Sequence, residues 1–380
     1  MLSQPERSTS ATASISASEI RKSARGTFQV GIHLNVTRDP REARRDSVRA
    51  VSSVQGRSAL VTGAGGFIGG HLTAALVRGG AHVRAFVRYN SRNDRGTLDW
   101  FEPEVSEHVE VVLGDLRDVE SVARAVHGTE LVFHLGAQIA IPYSYVNPRD
   151  FFETNVLGTL NVAQSALDAT VEHLVHVSTS EVYGTAQTVP ITEQHPLEAQ
   201  SPYSASKLGA DKLIDSYHRS FDLPATVIRP FNTYGPHQSA RAIIPTIIAQ
   251  ALASDRLRLG SLDPRRDLTF VTDTAAAMIA AATTPTTVGR TVQLGTGFDV
   301  SVGEIVELVG ALLGKELHVE RDEQRVRPPK SEVGRLISDP SLARELMGWS
   351  ASVQLRDGLA QTVDYIAANV GRYRVDQYVI

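Results

Sequence analysis

The chain has 380 residues, 42% of them hydrophobic and 21% charged, the balance of a soluble globular protein with room for two domains or one elaborated domain. A net charge of −4 gives no basis for a nucleic-acid partner, and no apolar run reaches the roughly 18 residues that a membrane span needs. The absence of cysteine excludes disulfides, thiol nucleophiles and zinc–thiolate sites, and fits a reducing, cytoplasmic setting.

Residues 1–55 are rich in Ser, Ala, Thr and Arg, as in Ser8-Thr9-Ser10-Ala11-Thr12-Ala13-Ser14, and lack the apolar core of a secretory signal. They read as a disordered extension or as sequence upstream of the true start, with a targeting or partner-binding arm as the alternative. From Ser58 the texture changes to alternating strands and amphipathic helices. Ala59-Leu60-Val61 is a buried strand, Phe67 to Arg78 a helix ending at Gly79-Gly80, and His82 to Val87 a second strand. Val109 to Leu113 is a third strand, followed by a helix near Val119 to Val126. Leu131-Val132-Phe133 is a fourth strand, and a long helix runs from about Phe151 to Asp168. His173 to Val177 is a fifth strand, Pro202 or Tyr203 to Phe221 a helix, and Ala225 to Ile228 a sixth strand. Strand–helix repetition of this kind predicts an α/β fold, a doubly wound parallel Rossmann sheet covered on both faces. Ile243 to Ala253 and Val302 to Leu313 look helical, and Arg325 to Lys330 is a Pro- and Arg-rich loop. The expected division is a dinucleotide-binding domain of residues 56–230 plus about 270–297. A smaller mixed α/β substrate-binding cap would comprise residues 231–269 plus 298–380.

Gly63-Ala64-Gly65-Gly66-Phe67-Ile68-Gly69 follows the first strand and opens the first helix. Glycines at 63, 66 and 69 permit a tight turn, let backbone approach a pyrophosphate and let the helix pack closely on its strand, with the helix N-terminus facing the phosphates. Gly63, Gly66, Phe67, Ile68 and Gly69 are therefore candidate cofactor-binding residues. The end of the second strand, Arg88-Tyr89-Asn90-Ser91-Arg92, lacks the acid that commonly holds the ribose hydroxyls of NAD. Arg88 reads as a 2′-phosphate ligand for NADP, or as a residue facing adenine or solvent while NAD binds. Asp115 and Leu116, after the third strand, are placed to reach the adenine.

Tyr203 and Lys207 are four residues apart, which puts both on one helix face. An ammonium beside a phenol favours the phenolate, so Tyr203 can serve as a base below its free pKa of about 10. Ser178-Thr179-Ser180-Glu181 at the end of the fifth strand adds a hydroxyl and a carboxylate. A plain alcohol dehydrogenase has no use for a second base, so Glu181 is the clue to the reaction. His134 reads as a buried structural histidine and Tyr183 as a packing residue. The twelve histidines show no metal-ligand spacing, and no metal is expected.

The Gly63 pattern, Asp115-Leu116, Ser178-Thr179-Ser180-Glu181, Tyr203-x-x-x-Lys207 and Arg229-Pro230-Phe231-Asn232, in that order, resemble the extended short-chain dehydrogenases/reductases, the NAD-dependent epimerase/dehydratase enzymes of nucleotide sugars. The resemblance spans roughly 58–366. It is closest to the sugar-nucleotide 4,6-dehydratases, and Ala140-Ile141-Pro142-Tyr143-Ser144-Tyr145 and Arg88-Tyr89-Asn90-Ser91 resemble the branch acting on UDP-N-acetylglucosamine. It implies that Tyr203 takes the proton of the sugar 4-hydroxyl while hydride leaves C4, that Lys207 lowers the Tyr203 pKa and holds the nicotinamide ribose, and that Thr179 hydrogen-bonds the 4-oxygen. Glu181 then removes the C5 proton, water leaves C6 and hydride returns there. The product is a 4-keto-6-deoxy sugar nucleotide, and the tightly bound NAD or NADP is regenerated. Pro230 is implied at the cofactor, and Asn232, Arg241, Arg266 and Arg327 at the substrate diphosphate, where guanidinium groups chelate phosphate. A homodimer through a four-helix bundle is also implied. Many 4,6-dehydratases carry Asp before the Glu, as the acid that protonates the departing hydroxyl. Ser180 stands there instead, as in GDP-mannose dehydratases, and a Ser hydroxyl is a poor general acid. UDP-glucuronate decarboxylases share Thr-Ser-Glu and remain an alternative, as does 4-epimerisation, which needs no C5 base. A non-catalytic dinucleotide-binding protein is the distant alternative.

Overall fold

Parallel strands sandwiched between helices are predominantly apolar rather than alternating, because neither face meets water. β4 (Leu131–His134), β5 (His173–Val177) and β6 (Ala225–Pro230) are buried at every position. With β1 (Ser58–Thr62), β2 (His82–Arg88), β3 (Val109–Gly114) and a returning β10 (Thr291–Leu294), they form a seven-stranded parallel sheet of order β10-β6-β5-β4-β1-β2-β3. This doubly wound sheet is the Rossmann architecture expected from the sequence. The computed structural model describes residues 53–325 and 333–373; residues 1–52 of the N-terminal extension and Arg327 fall outside them.

One sheet face packs on the helices Phe67–Arg78 and Val271–Ala282, in a core that also takes Ala343 and Trp349 from the C-terminal segment. The other face packs on Val119–Val126, Gly158–Asp168 and Pro202–Phe221 through Leu60, Val132, Leu174, Ile214 and Val227. A separate core gathers the helices Ile243–Ala253, Val302–Leu313 and Leu355–Ala368 around Leu257, Leu268 and Phe270. Two small sheets accompany it. One holds β7 (Asn232–Tyr234), β9 (Arg265–Phe270), β11 (Asp299–Ser301) and β13 (Arg335–Leu336), and the other pairs β8 (Arg256–Leu259) with β12 (His318–Arg321).

The long helix predicted from Phe151 is not a uniform α-helix. It begins at Pro148 and passes through a π-helical stretch at Glu153–Leu157 before resuming as Gly158–Asp168. The wider turn carries the buried Asn155, whose side chain accepts from the Gln138 N–H (2.7 Å) and donates to both the Gln138 carbonyl (3.0 Å) and Ser206 Oγ (2.9 Å). Amide periodicity gives no sign of such an insertion, which is common near functional sites. Among the described residues no helix is long and apolar enough to cross a membrane.

Candidate active site

In an open parallel sheet the crevice lies where the strand order reverses, here between β1 and β4. The turn after β1 and Leu135-Gly136 after β4 meet there so closely that a Cβ at Gly63, whose φ is +72°, would lie 2.8 Å from the Gly136 nitrogen. A Cβ on Gly69 would lie 2.2 Å from the Gly63 carbonyl oxygen. The Phe67–Arg78 helix starts at Gly66 with no side-chain cap and no acidic residue in its first turn. Its leading N–H groups are thus left for an anion, as a pyrophosphate requires. These features fit a dinucleotide.

A strap covers this turn. Asn90 Oδ1 accepts from the N–H groups of Arg92 (3.1 Å) and Asp94 (3.2 Å), and Asp94 Oδ1 accepts from Gly96 N (2.5 Å). The chain is so delivered to Gly96 and Thr97. Thr97 N donates to the Gly65 carbonyl (2.9 Å), and its hydroxyl donates to the Gly66 carbonyl (2.8 Å).

The crevice opens into a cavity of about 960 Å³, large enough for a dinucleotide and part of a second ligand. Gly63, Gly66, Phe67, Ile68, Gly69, Arg88, Asp115, Leu116 and Pro230 line it, as do Thr179, Ser180, Glu181, Tyr203, Lys207, Asn232 and Arg241. Arg266 is not on its wall: it sits on β9 opposite Val300 and Leu336, with Nη1 donating to the Arg265 carbonyl at 3.0 Å. Asp115 lines the cavity, but its carboxylate turns to Arg117, which donates from Nε (3.0 Å) and Nη2 (2.7 Å) and holds the acid below the usual carboxylate range. Arg117 also reaches Asp150, and Asp150 accepts from Gln138 Nε2 (2.7 Å). Neither link was legible from local sequence.

Thr179 caps the short helix Ser180–Tyr183, accepting from the Glu181 N–H at 3.2 Å, so Glu181 is held in the first turn on the cavity side. The Pro202–Phe221 helix begins with a capping box between Ser201 and Ser204 that fixes where Tyr203 enters. Tyr203 is 8% exposed; its hydroxyl lies near the Thr179 side chain and close enough to Glu181 to feel its charge. Burial pushes the phenol up to about 12, and it outweighs the Thr179 side chain, which pulls the other way. Lys207 is 3% exposed, and its Nζ donates to the Val177 carbonyl at 2.7 Å. Burial draws its ammonium down to about 8. Desolvation thus acts against both charged forms, the Tyr203 phenolate and the Lys207 ammonium.

His134 is buried between Thr62 Oγ1 (2.7 Å) and Thr159 Oγ1 (2.9 Å), and burial holds it neutral. Tyr183 is fully buried, with its hydroxyl accepting from Arg229 Nη1 at 3.2 Å. Both have the structural settings read from the sequence.

Residues 60–362 match the protein family described as GDP-mannose 4,6 dehydratase. The chain belongs to the sugar-nucleotide dehydratase/epimerase family of extended short-chain dehydrogenases/reductases. This family member is 32% identical over 313 residues to a UDP-glucose 4-epimerase of Mycolicibacterium smegmatis, covering 80% of the chain and 97% of the relative. It is 31% identical over 333 residues to a dTDP-glucose 4,6-dehydratase of Xanthomonas campestris pv. campestris, covering 82% and 93%. Among solved structures it resembles a double mutant of DesIV, a dTDP-glucose 4,6-dehydratase from Streptomyces venezuelae with NAD bound, at 29% identity and a TM-score of 0.74, covering 83% and 98%.

Proposed function

We propose that the chain is an NAD(P)-dependent sugar-nucleotide 4,6-dehydratase acting on UDP-N-acetylglucosamine. The observation that carries this reading is Glu181: a residue whose backbone is held by Thr179 and whose carboxylate acts on Tyr203 in the same cavity, where oxidation at C4 alone needs no second base. When bound, the dinucleotide accepts hydride and brings a positive nicotinamide ring. Gly63, Gly66, Phe67, Ile68 and Gly69 would hold its pyrophosphate, Asp115 and Leu116 its adenine end, and Pro230 and Lys207 its nicotinamide end. Tyr203 takes the 4-hydroxyl proton, Thr179 donates to the 4-oxygen, and Glu181 removes the C5 proton. Ser180 is buried within the Ser180–Tyr183 turn and serves as a hydrogen-bond partner rather than as the acid. Protonated Glu181 or a water supplies the proton to the departing hydroxyl.

Asn232 and Arg241 at the cavity, with Arg266 and Arg327, are proposed for the substrate diphosphate. Arg88, exposed at the end of β2, supports NADP as readily as NAD. The parallel sheet with its helices serves as the dinucleotide half, and residues 231–269 and 298–380 as the substrate half. A cytoplasmic homodimer is proposed through the helical segments 148–168 and 202–221, where Phe152 and Leu157 leave large apolar side chains exposed.

A 4-epimerase is the second reading, favoured by the M. smegmatis relative and by Ser180 at the acid position. The test is to incubate the enzyme with UDP-N-acetylglucosamine, UDP-glucuronate, GDP-mannose and dTDP-glucose and read product masses. Loss of one water supports the proposal. Loss of carbon dioxide supports a decarboxylase, and an unchanged mass with a new sugar an epimerase; either overturns it.

A further inference from the structure

The helix that carries Tyr203 and Lys207 places a third polar side chain on the same face one turn on. Asp211 follows Lys207 by four residues and is 2% exposed. Such a buried carboxylate is costly unless it is paired. Its Oδ2 accepts from Arg229 Nε (3.0 Å) and Nη2 (2.9 Å), and its Oδ1 faces His176 Nε2 at 3.4 Å.

These partners come from neighbouring strands. His134 on β4 pairs in register with His176 on β5, and His176 with Val227 on β6, two residues before Arg229 on the same face. The network therefore lies under the Pro202–Phe221 helix, against the sheet, at the end of β5 where Lys207 Nζ meets the Val177 carbonyl. The charged and titratable groups around Lys207 are Tyr203 and Asp211, one turn to either side on its own helix, His176 from β5 and His134 from β4, with Arg229 of β6 bonded to Asp211; Glu181 acts on Tyr203 instead. Burial keeps both histidines neutral, and Arg229 is a cation. Asp211 is the one anion in that set.

We propose that Asp211 is a positioning residue: clamped by Arg229 against the sheet, its carboxylate is the buried counter-charge that keeps Lys207 an ammonium beside Tyr203. The two nitrogens of Arg229 fix Oδ2, so the charge cannot swing toward solvent. Without it Lys207 would be a desolvated cation among a second cation and two neutral rings, and would shed its proton. Tyr203 would then lose the positive charge that its ionised form needs. The proposal rests on the reading of Tyr203 and Lys207 as the reacting pair, but its primary test requires no turnover.

That test is favoured by composition. The chain has five lysines, at 22, 207, 212, 315 and 330, so the ε-carbon signals of protein labelled with ¹³C-lysine can be followed individually against pH. Lys207→Arg assigns the signal, and the exposed Lys212 on the same helix is the internal control. The expected result is that Asp211→Asn lowers the Lys207 midpoint by about one pH unit or more, that Asp211→Glu restores most of the loss, and that Lys212 does not move. An unchanged Lys207 midpoint in a folded Asp211→Asn protein overturns the proposal. Should that variant fail to fold, the wild-type curve decides, and a Lys207 already neutral at pH 7 overturns it. In turnover, the alkaline limb of kcat moves down with the Lys207 midpoint while KM holds. A kcat lowered equally at every pH would mean a merely structural role and would also overturn it. If the lysine moves as expected but none of the four sugar nucleotides is converted, the functional reading fails and this one stands.

Discussion

The strap over the glycine turn makes the assembly of the dinucleotide site measurable. Gly96 has φ +69°, and a Cβ there would lie 2.2 Å from the Gly65 carbonyl oxygen, a backbone atom that cannot swing aside. Gly96→Ala adds the left-handed cost, on the order of 1–2 kcal/mol, to a collision that the turn can relieve only by moving. Thr97→Val is the milder change. It keeps the shape of a buried side chain and deletes the hydroxyl that donates to the Gly66 carbonyl at 2.8 Å, a loss of about 1 kcal/mol. Because Gly65 and Gly66 lead into the N-terminus of the Phe67–Arg78 helix, most of either loss falls on dinucleotide binding. One factor of ten accompanies each 1.4 kcal/mol. Calorimetric titration of NAD into dinucleotide-free protein should show Thr97→Val weaker by roughly fivefold and Gly96→Ala by roughly tenfold or more. Thermal unfolding without NAD separates binding from folding. A folded Gly96→Ala protein that binds NAD as tightly as the wild type would refute the idea that the strap sets the turn.

Four further outcomes are expected. His173 and His176 are buried neutral, and burial lowers each from 6.5 to about 4. Their folded pKa values lie below the unfolded ones, so the stability they contribute is full above about pH 6.5 and is lost as pH falls toward 4. The loss amounts to at most about 3 kcal/mol each, and guanidinium unfolding at stepped pH should show that slope rather than a plateau. Glu181→Gln should cut water loss by roughly 10²–10⁴ while leaving hydride transfer from C4 measurable by nicotinamide absorbance; wild-type elimination would remove Glu181 from the C5 step. Arg88→Ala should weaken NADP at least roughly tenfold and leave NAD nearly unchanged if Arg88 meets the 2′-phosphate, as competitive binding would show. Leu157→Glu, on the exposed apolar side of the helical pair, should yield monomers in sedimentation; a persisting dimer would place the interface elsewhere.

What could be read from sequence was what local pattern encodes. Strand and helix alternation from Ser58 to Ile228 gave the doubly wound sheet, because strands buried on both faces are predominantly apolar. Most candidate site residues, from Gly63 to Arg241, line one cavity because each directly follows a strand end or opens a helix, where spacing in the chain fixes position. The rest depended on pairing across the fold. Nothing near Asp115 announces that Arg117 will occupy its carboxylate, and nothing near Arg266 fixes the side toward which β9 turns it. Asp211 did carry a signal, the i, i+4, i+8 series from Tyr203 through Lys207. Its meaning required Arg229 from another strand. The π-helical stretch around Asn155 has no local signature, since its extra residue is held by contacts with Gln138 and Ser206. The burial of Tyr203 has no local signature either: spacing shows which charges are near but not how much water has been removed.

The chain does not finish the parallel sheet before it builds the second core. It leaves after β6, returns to lay down β10 on the sheet edge, leaves again, and comes back to bury Ala343 and Trp349 in the core beside β10 and the helix Val271–Ala282. Trp349 Nε1 donates to the Asp273 carbonyl at 3.1 Å, and the Asp273 carboxylate accepts from Ser352 and Val353. The two halves are thus stitched rather than appended. Exchanging the second core with a relative's by recombination would need several coordinated crossovers instead of one. New sugar specificities in such a protein are more accessible by point substitution within the cavity than by swapping cassettes.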